Sequence, residues 1–376
     1  MSEETATGLP EALVRELVAL TEGPLDRPLD DARFDALARE VFEHQLATNP
    51  VYRRFCEARG VRPGKWPGWR DVPAVPTRAF RELDLISGPR DRVERIFRTS
   101  GTTGGTERRG RHSILSLDLY RALSVPWCVA NLVPELAPGG AIPILSLIPS
   151  VDDAPDSSLA TMVGFLLDAI GDPASVTLVR PERGIDDDAL RLALDAFAGI
   201  EAPVLVVGTA FAWVHLIDRL DALGRAFTLP EGSRAMETGG FKGRSREVPR
   251  AHLYREIARV TGMPVDRIVN EYGMTELLSQ FYEPVLREPG SPRRHLPPPW
   301  MRTRVLHPDT LAELPEGERG IVQHLDLANL GSVAAVLTED LARAVGDGFE
   351  IVGRRPGAEA RGCSLAMEEL LEVGEG

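Results

Sequence analysis

The sequence predicts an α/β protein with layered, largely parallel sheets and helices, closed by a smaller β-rich section. Three observations predict it. Between about residues 140 and 270, short apolar runs alternate with helical stretches of ten or more residues, as in parallel strands joined by crossover helices. Beyond residue 300 the apolar runs stay short and no helical stretch separates them. The first sixty residues instead carry apolar positions at three-and-four spacing, the period of an amphipathic helix.

In chain order, Phe34, Leu37, Ala38, Val41, Phe42 and Leu46 form one helical stripe, with Asp30 and Asp31 as candidate N-caps. Val72–Pro76 must be extended, because a proline disfavours helix in the residue before it. Strands are expected over Ala141–Ile148, Ser175–Val179, Pro203–Val207 and Arg267–Asn270. Between them, helices are expected over Ser158–Ile170, Asp187–Phe197, through Leu216 and Leu220, and over Arg250–Thr261. The closing strands are Arg302–Leu306, Gly320–Leu325, Val333–Leu337 and Gly348–Val352. Pro289–Pro299 reads as a mobile connector.

Composition narrows the function. Hydrophobic residues make up 43% and charged residues 26%, which suits a core-forming globular chain. No apolar run reaches the roughly 20 residues of a membrane span, and the acidic N-terminus does not read as a signal peptide. The expected compartment is therefore the cytoplasm. A net charge of −13 argues against nucleic acid or an anionic membrane as main partner. Cys56, Cys128 and Cys363 are too far apart for a zinc site or a disulfide framework. Of 43 basic residues only Lys65 and Lys242 are lysines, so a reaction needing an ammonium must use one of them.

Two motifs carry chemistry. Thr99-Ser100-Gly101-Thr102-Thr103-Gly104 is an unbroken run of glycines and hydroxyl residues, followed by Arg108, Arg109, Arg111 and His112. Glycines let backbone N–H groups turn toward an anion and hydroxyls add donors, so the loop suits phosphates; a plain polar surface loop has the same composition. It is no Walker A loop, because Arg111-His112 stand where Lys and Ser/Thr belong. The second motif is Asn270-Glu271-Tyr272-Gly273-Met274-Thr275-Glu276. Tyr272 offers a flat face for a base, and Thr275 and Glu276 offer the hard oxygens that Mg²⁺ prefers. A packed tyrosine and a surface glutamate would explain it equally.

Together, and in this order, the motifs resemble the adenylate-forming superfamily of acyl-CoA synthetases, peptide synthetase adenylation domains and luciferases. The resemblance implies that Thr99–Gly104 binds the ATP phosphates. It further implies that Tyr272 lies on adenine, Thr275 meets the α-phosphate and Glu276 holds Mg²⁺. Thr238-Gly239-Gly240 looks like the adenine-pocket turn, and Thr338-Glu339-Asp340 stands where a ribose-binding aspartate is expected, with Glu339 replacing the usual glycine. Asp347-Gly348-Phe349 and Gly353-Arg354-Arg355 resemble the strand leading to the interdomain hinge.

Met236–Arg244, Asn270–Glu276 and Arg361-Gly362-Cys363-Ser364-Leu365 look like the acyl-protein synthetase branch. That branch implies a fatty acid adenylated with ATP, loaded on Cys363 and collected by a partner acyl reductase. The implied site is thus Lys242, Cys363 and Glu276 for catalysis. Nucleotide contacts fall to Thr99–Gly104, Gly239, Gly240, Asn270–Thr275, Asp340 and Arg354. Residues 1–340 are expected to form an adenylate-forming N-terminal-type domain, with 1–65 its helical part. Residues 341–376 are expected to form a vestigial subdomain, a truncated C-terminal lid, because no lysine follows Lys242.

Lys242 is the candidate positive group at the phosphates, since an ammonium binds phosphate as a point charge. Arg354, Arg355 and Arg361 would favour a Cys363 thiolate; a lone cysteine is otherwise an inert core residue. Cys56 and Cys128 read as structural and His215 as a packed histidine. Phe211, Trp213, Leu277, Leu278, Phe281 and Tyr282 are candidates for an acyl pocket or for plain core. Two other functions fit the same residues. One is an aryl- or acyl-acid ligase delivering to coenzyme A or a carrier protein, the other a nucleotide-binding subunit without turnover.

Overall fold

The computed structural model describes residues 7–66, 68–99, 109–180, 184–239 and 248–354. It opens on α1 (Glu11–Ala19), α2 (Asp31–Thr48) and α3 (Pro50–Ala58). Asp30 caps α2 by accepting from the Arg33 N–H at 3.0 Å, and Asn49 caps α3 by accepting from Tyr52 at 3.0 Å, with Pro50 in the first turn. The Pro-rich stretch is extended and supplies β1 (Val75–Pro76), followed by the short α4 (Ala79–Glu82). A hairpin of β2 (Arg95–Arg98) and β3 (Arg111–Ile114) leads to α5 (Leu117–Leu132). Nothing in the sequence reading assigned α5, which carries Pro126 in its interior, a residue that normally ends a helix.

The expected alternation follows: β4 (Ile144–Ser146), α6 (Ser158–Ile170), β5 (Val176–Thr177), β6 (Val179–Arg180), β7 (Gly184–Ile185) and α7 (Asp187–Phe197). Next come β8 (Leu205–Thr209), α8 (Ala210–Leu223), β9 (Arg234–Thr238), α9 (Arg250–Thr261), β10 (Ile268–Tyr272) and β11 (Phe281–Tyr282). Side chains of Ser157, Asp186 and Thr209 cap α6, α7 and α8. Gly224 and Gly262 end α8 and α9 at positive φ, where a side chain would be strained. The last strands are β12 (Met301–Leu306), β13 (Arg319–Asp326), β14 (Ala335–Val345) and β15 (Gly348–Arg354). Strand β14 runs well past the expected Leu337 and through the boundary expected between 340 and 341.

The described chain divides into two compact units. Unit 1 holds the residues up to Ser124, Met274–Phe281 and those from Arg294 on. Its main sheet runs β1-β14-β13-β12 with β15 also on β14; β1 lies parallel to β14 and the other pairs are antiparallel. The Pro-rich strand therefore joins the β-rich section from far upstream. Unit 2 holds Val125–Gly273 and Tyr282–Arg293. Its sheet runs β11-β10-β9-β8-β4-β5, parallel from β10 to β5. Trp213, Leu216 and Leu220 of α8 and Leu253, Ile257 and Val260 of α9 pack with Val206, Ala235 and Ile268 of the strands into one apolar core. Within the expected connector the chain passes from unit 2 to unit 1 between Arg293 and Arg294.

Candidate active site

The base of the first motif is built by the β2–β3 hairpin of unit 1. Thr99 follows β2, and its N–H donates to the Gly110 carbonyl at 3.0 Å while its Oγ1 accepts from the Gly110 N–H at 2.8 Å. The Arg109 guanidinium folds back on the Thr99 carbonyl at 2.5 Å and the Arg98 carbonyl at 3.3 Å. Thr99 and Gly110 thus clasp the two ends of the loop. A Cβ on Gly110 would come within 2.9 Å of the Thr99 methyl, so this clasp requires glycine. Ser100, Gly101, Thr102, Thr103 and Gly104 lie outside the described residues.

The second motif continues β10 and passes from unit 2, which holds Asn270–Gly273, into unit 1, which holds Met274, Thr275 and Glu276. In unit 1 two buried polar side chains grip its backbone and a third grips the segment just after it, none of them assigned to the site by sequence reasoning. His112, on β3, makes a 2.7 Å hydrogen bond from Nδ1 to the Thr275 carbonyl. Since a carbonyl only accepts, Nδ1 carries the proton. Burial against Phe80, whose ring stands edge-on at 5.7 Å, pulls the His112 pKa down to about 4. Asn329 donates Nδ2–H to the Glu276 carbonyl at 2.8 Å and the Val333 carbonyl at 3.1 Å. Asp326 accepts from the N–H groups of Leu278 (3.1 Å), Ser279 (2.9 Å) and Ala328 (3.1 Å) and from the Ser279 hydroxyl (2.7 Å). Burial raises the Asp326 pKa to about 6 against the pull of those bonds. The available signal was a set of polar residues, Asp326, Asn329 and Ser332, inside an apolar run.

Glu276 is buried, at 8% exposure, and Tyr272 and Thr275 are half-buried. Among the described residues no group of three or more His, Cys, Asp or Glu could cage a metal. One buried carboxylate beside a threonine hydroxyl nevertheless fits Mg²⁺, which is held by one or two carboxylates together with substrate phosphates.

Asn270 and Glu271 sit inside the sheet of unit 2. The Asn270 amide donates to the Glu237 carbonyl at 3.0 Å and to its carboxylate at 2.6 Å, across the parallel β9–β10 pair. Glu237 also accepts from the Tyr254 hydroxyl at 3.2 Å, and its pKa is raised chiefly by burial. Glu271 bonds to the Thr238 side chain, and burial raises its pKa to about 7. Any contribution of this pair to a nucleotide site runs through the strand ends it holds. Gly239, just past β9, is exposed, and a Cβ there would meet nothing within 4 Å. In unit 1, Asp340 on β14 and Arg354 on β15 are register partners with Nε and Oδ1 3.5 Å apart.

Gly240, Lys242 and Cys363 lie outside the described residues. Cys56 and Cys128 are buried, as expected of structural cysteines, and burial pushes both thiols up to about 12. Cys128 lies 2.9 Å from the Tyr282 hydroxyl. Trp213 is fully buried in the core of unit 2, and Leu277, Leu278, Phe281 and Tyr282 are buried too. His215 lies exposed on α8, outside the core, with its ring edge-on to Phe211 at 4.4 Å. No helix among the described residues is long and apolar enough to cross a membrane.

The family model described as "Acyl-protein synthetase, LuxE" matches residues 178–372, just over half of the chain. The long-chain-fatty-acid–luciferin-component ligase of Vibrio harveyi is 23% identical over 347 residues, covering 89% of this chain and 86% of that protein. Its namesake from Aliivibrio fischeri is 26% identical over 355 residues, covering 90% and 88%. A solved structure of 2-hydroxyisobutyryl-CoA ligase in complex with 2-HIB-AMP matches with a TM-score of 0.61 at 16% identity, over 88% of this chain and 72% of that one. That likeness shows the fold: the layered α/β architecture with a β-rich section is that of an adenylate-forming ligase. ATP-bound MatB from Rhodopseudomonas palustris matches at a TM-score of 0.47 and 20% identity over 72% of this chain, which spans about half (49%) of its length.

Proposed function

The chain belongs to the acyl-protein synthetase family, LuxE, and from that premise we propose that it activates a fatty acid with ATP and passes the acyl group to Cys363. In the first half-reaction the acid's carboxylate oxygen bonds to the α-phosphorus and the bond to pyrophosphate breaks, giving acyl-AMP. In the second, the Cys363 thiolate attacks the acyl carbon and AMP leaves, giving a thioester. A partner acyl reductase then collects the acyl group. The observation that carries this reading is the grip of the phosphate-loop hairpin on the second motif, through the His112 bond to Thr275.

Adenylation needs positioning and charge stabilisation but no side-chain base, because the carboxylate is already ionised at neutral pH. In this reading Thr99–Gly104 bind the phosphates, and Lys242 adds a point charge. Tyr272 lies against the adenine at the strand end that Asn270 and Glu271 hold, and Gly239 and Gly240 contact the nucleotide too. Gly273 and Met274 carry the backbone past the base, Asp340 takes the ribose and Arg354 orients Asp340. Thr275 donates its hydroxyl to the α-phosphate, and Glu276 would hold Mg²⁺. The bound ion would neutralise phosphate charge that builds up as pyrophosphate departs. The residues beyond β15 are proposed to carry Cys363 to the acyl-adenylate.

The test is ATP–pyrophosphate exchange against short to long fatty acids and aromatic acids. Exchange is expected with fatty acids, and Lys242→Ala should slow it at least tenfold. Cys363→Ala should keep exchange and lose acyl labelling of the protein. Exchange with no acid would overturn the reading. Undiminished transfer to coenzyme A by Cys363→Ala would replace it with a ligase that delivers to a soluble thiol.

A further inference from the structure

We propose that His112 is a positioning residue for the Mg²⁺-bound nucleotide, coupling the clasp of the phosphate loop to the peptide between Thr275 and Glu276. This rests on the reading above, in which Thr275 and Glu276 meet the α-phosphate and the metal. Three observations carry it.

First, His112 lies on the strand that closes the loop. It stands two positions after Gly110, whose N–H and carbonyl both bond Thr99, and its own register partner on β2 is Phe97. Displacing His112 displaces the clasp. Second, its ring bonds the backbone of the other motif, at 2.7 Å across 163 residues of sequence. The bond falls on the carbonyl between the Thr275 and Glu276 side chains. With Asn329 fixing the next carbonyl at 2.8 Å, the two peptide planes that flank the Glu276 Cα are each held. The Cα–Cβ direction of the proposed metal ligand is thereby set, and that of Thr275 is held from one side. Third, the ring itself is held: it is 1% exposed and packs edge-on against Phe80.

Substitutions that change where the donor sits separate positioning from simple packing. The Asn amide nitrogen is the same number of bonds from Cβ as Nδ1, whereas that of Gln is one bond further, at the place of Nε2. Binding of ATP with and without Mg²⁺ is measured by titration calorimetry on the full chain for wild type, H112N, H112Q and H112L, alongside pyrophosphate exchange. For H112Q and H112L the Mg²⁺-dependent gain in affinity should fall by about tenfold, the scale of losing a partner that orients a metal ligand. H112N should stay within about threefold of wild type on the same scale. Affinity for ATP without Mg²⁺ should move much less. An H112Q variant that keeps the full Mg²⁺-dependent gain overturns the proposal, as does an H112N variant that loses as much as H112Q. Should H112L fail to fold, the H112N and H112Q pair decides alone. A wild-type chain that binds Mg²⁺·ATP but exchanges pyrophosphate with no acid overturns the acyl-activation reading while the binding comparison still decides the role of His112. A wild-type chain without Mg²⁺-dependent binding overturns both.

Discussion

Glu271 is a carboxyl group inside a parallel sheet, one residue before the tyrosine assigned to adenine. Its pKa stands at about 7 against an ordinary 4.5, because burial penalises the ionised form more than the Thr238 bond favours it, and Glu237 adds repulsion. The fold therefore binds this proton more tightly than the unfolded chain does. Its contribution to stability is complete below about pH 4.5 and is lost as the pH rises through about 7. Glu271→Gln fixes the group in a neutral form. The variant should match wild type near pH 4.5 and exceed it at pH 8 by on the order of 3 kcal/mol, since each pKa unit is worth about 1.4 kcal/mol. Denaturant titrations across that range measure the difference. A gap that does not grow with pH would mean that Glu271 is ionised throughout.

At the scale of elements, the turn from β13 into Leu327–Asn329 works as a clamp through Asp326. Removing that carboxylate strands three buried N–H groups, those of Leu278, Ser279 and Ala328, each costing about 1–3 kcal/mol if left unpaired. Asp326→Ala should lose roughly 3–5 kcal/mol in chemical denaturation, and a loss near zero would mean that the segment re-pairs. This clamp also marks what the sequence could reveal. Helices Ser158–Ile170, Asp187–Phe197 and Arg250–Thr261 were legible to the residue, because apolar period, a capping side chain or a terminal glycine agree there. The two motifs stand out in the sequence because each is one unbroken local run of chemically suggestive residues. Asp326, Asn329 and His112 were not, since each meets its partner 47, 53 or 163 residues away and no local pattern encodes such a bond. Helix α5 was missed because Pro126 contradicts the helical period around it.

Across the whole molecule, the chain crosses between its two units at Ser124/Val125, Gly273/Met274, Phe281/Tyr282 and Arg293/Arg294. One of those crossings cuts the second motif, so folding each unit sets one half of it. Unit 2 adds to its apolar core an ion cluster around one buried carboxylate. Glu283, with a side chain 2% exposed, is paired by Arg250 and by Arg293, the latter at 2.5 Å. Arg293 also donates to the carbonyls of Ile268 and Val265, both at 2.9 Å. Breaking a buried pair from one side leaves a charge without its counterpart and costs about 3–5 kcal/mol. With Arg250 still in place, Arg293→Ala should sit near the low end, about 3 kcal/mol. Because opening is cooperative within compact units, the loss should fall on unit 2. Hydrogen exchange should quicken across β8, β9 and β10, while β12, β13 and β14 of unit 1 keep wild-type protection. Equal loss of protection in both sheets would mean that the two units open as a single cooperative body. A Gly273/Met274 crossing would then separate no independent halves of the motif.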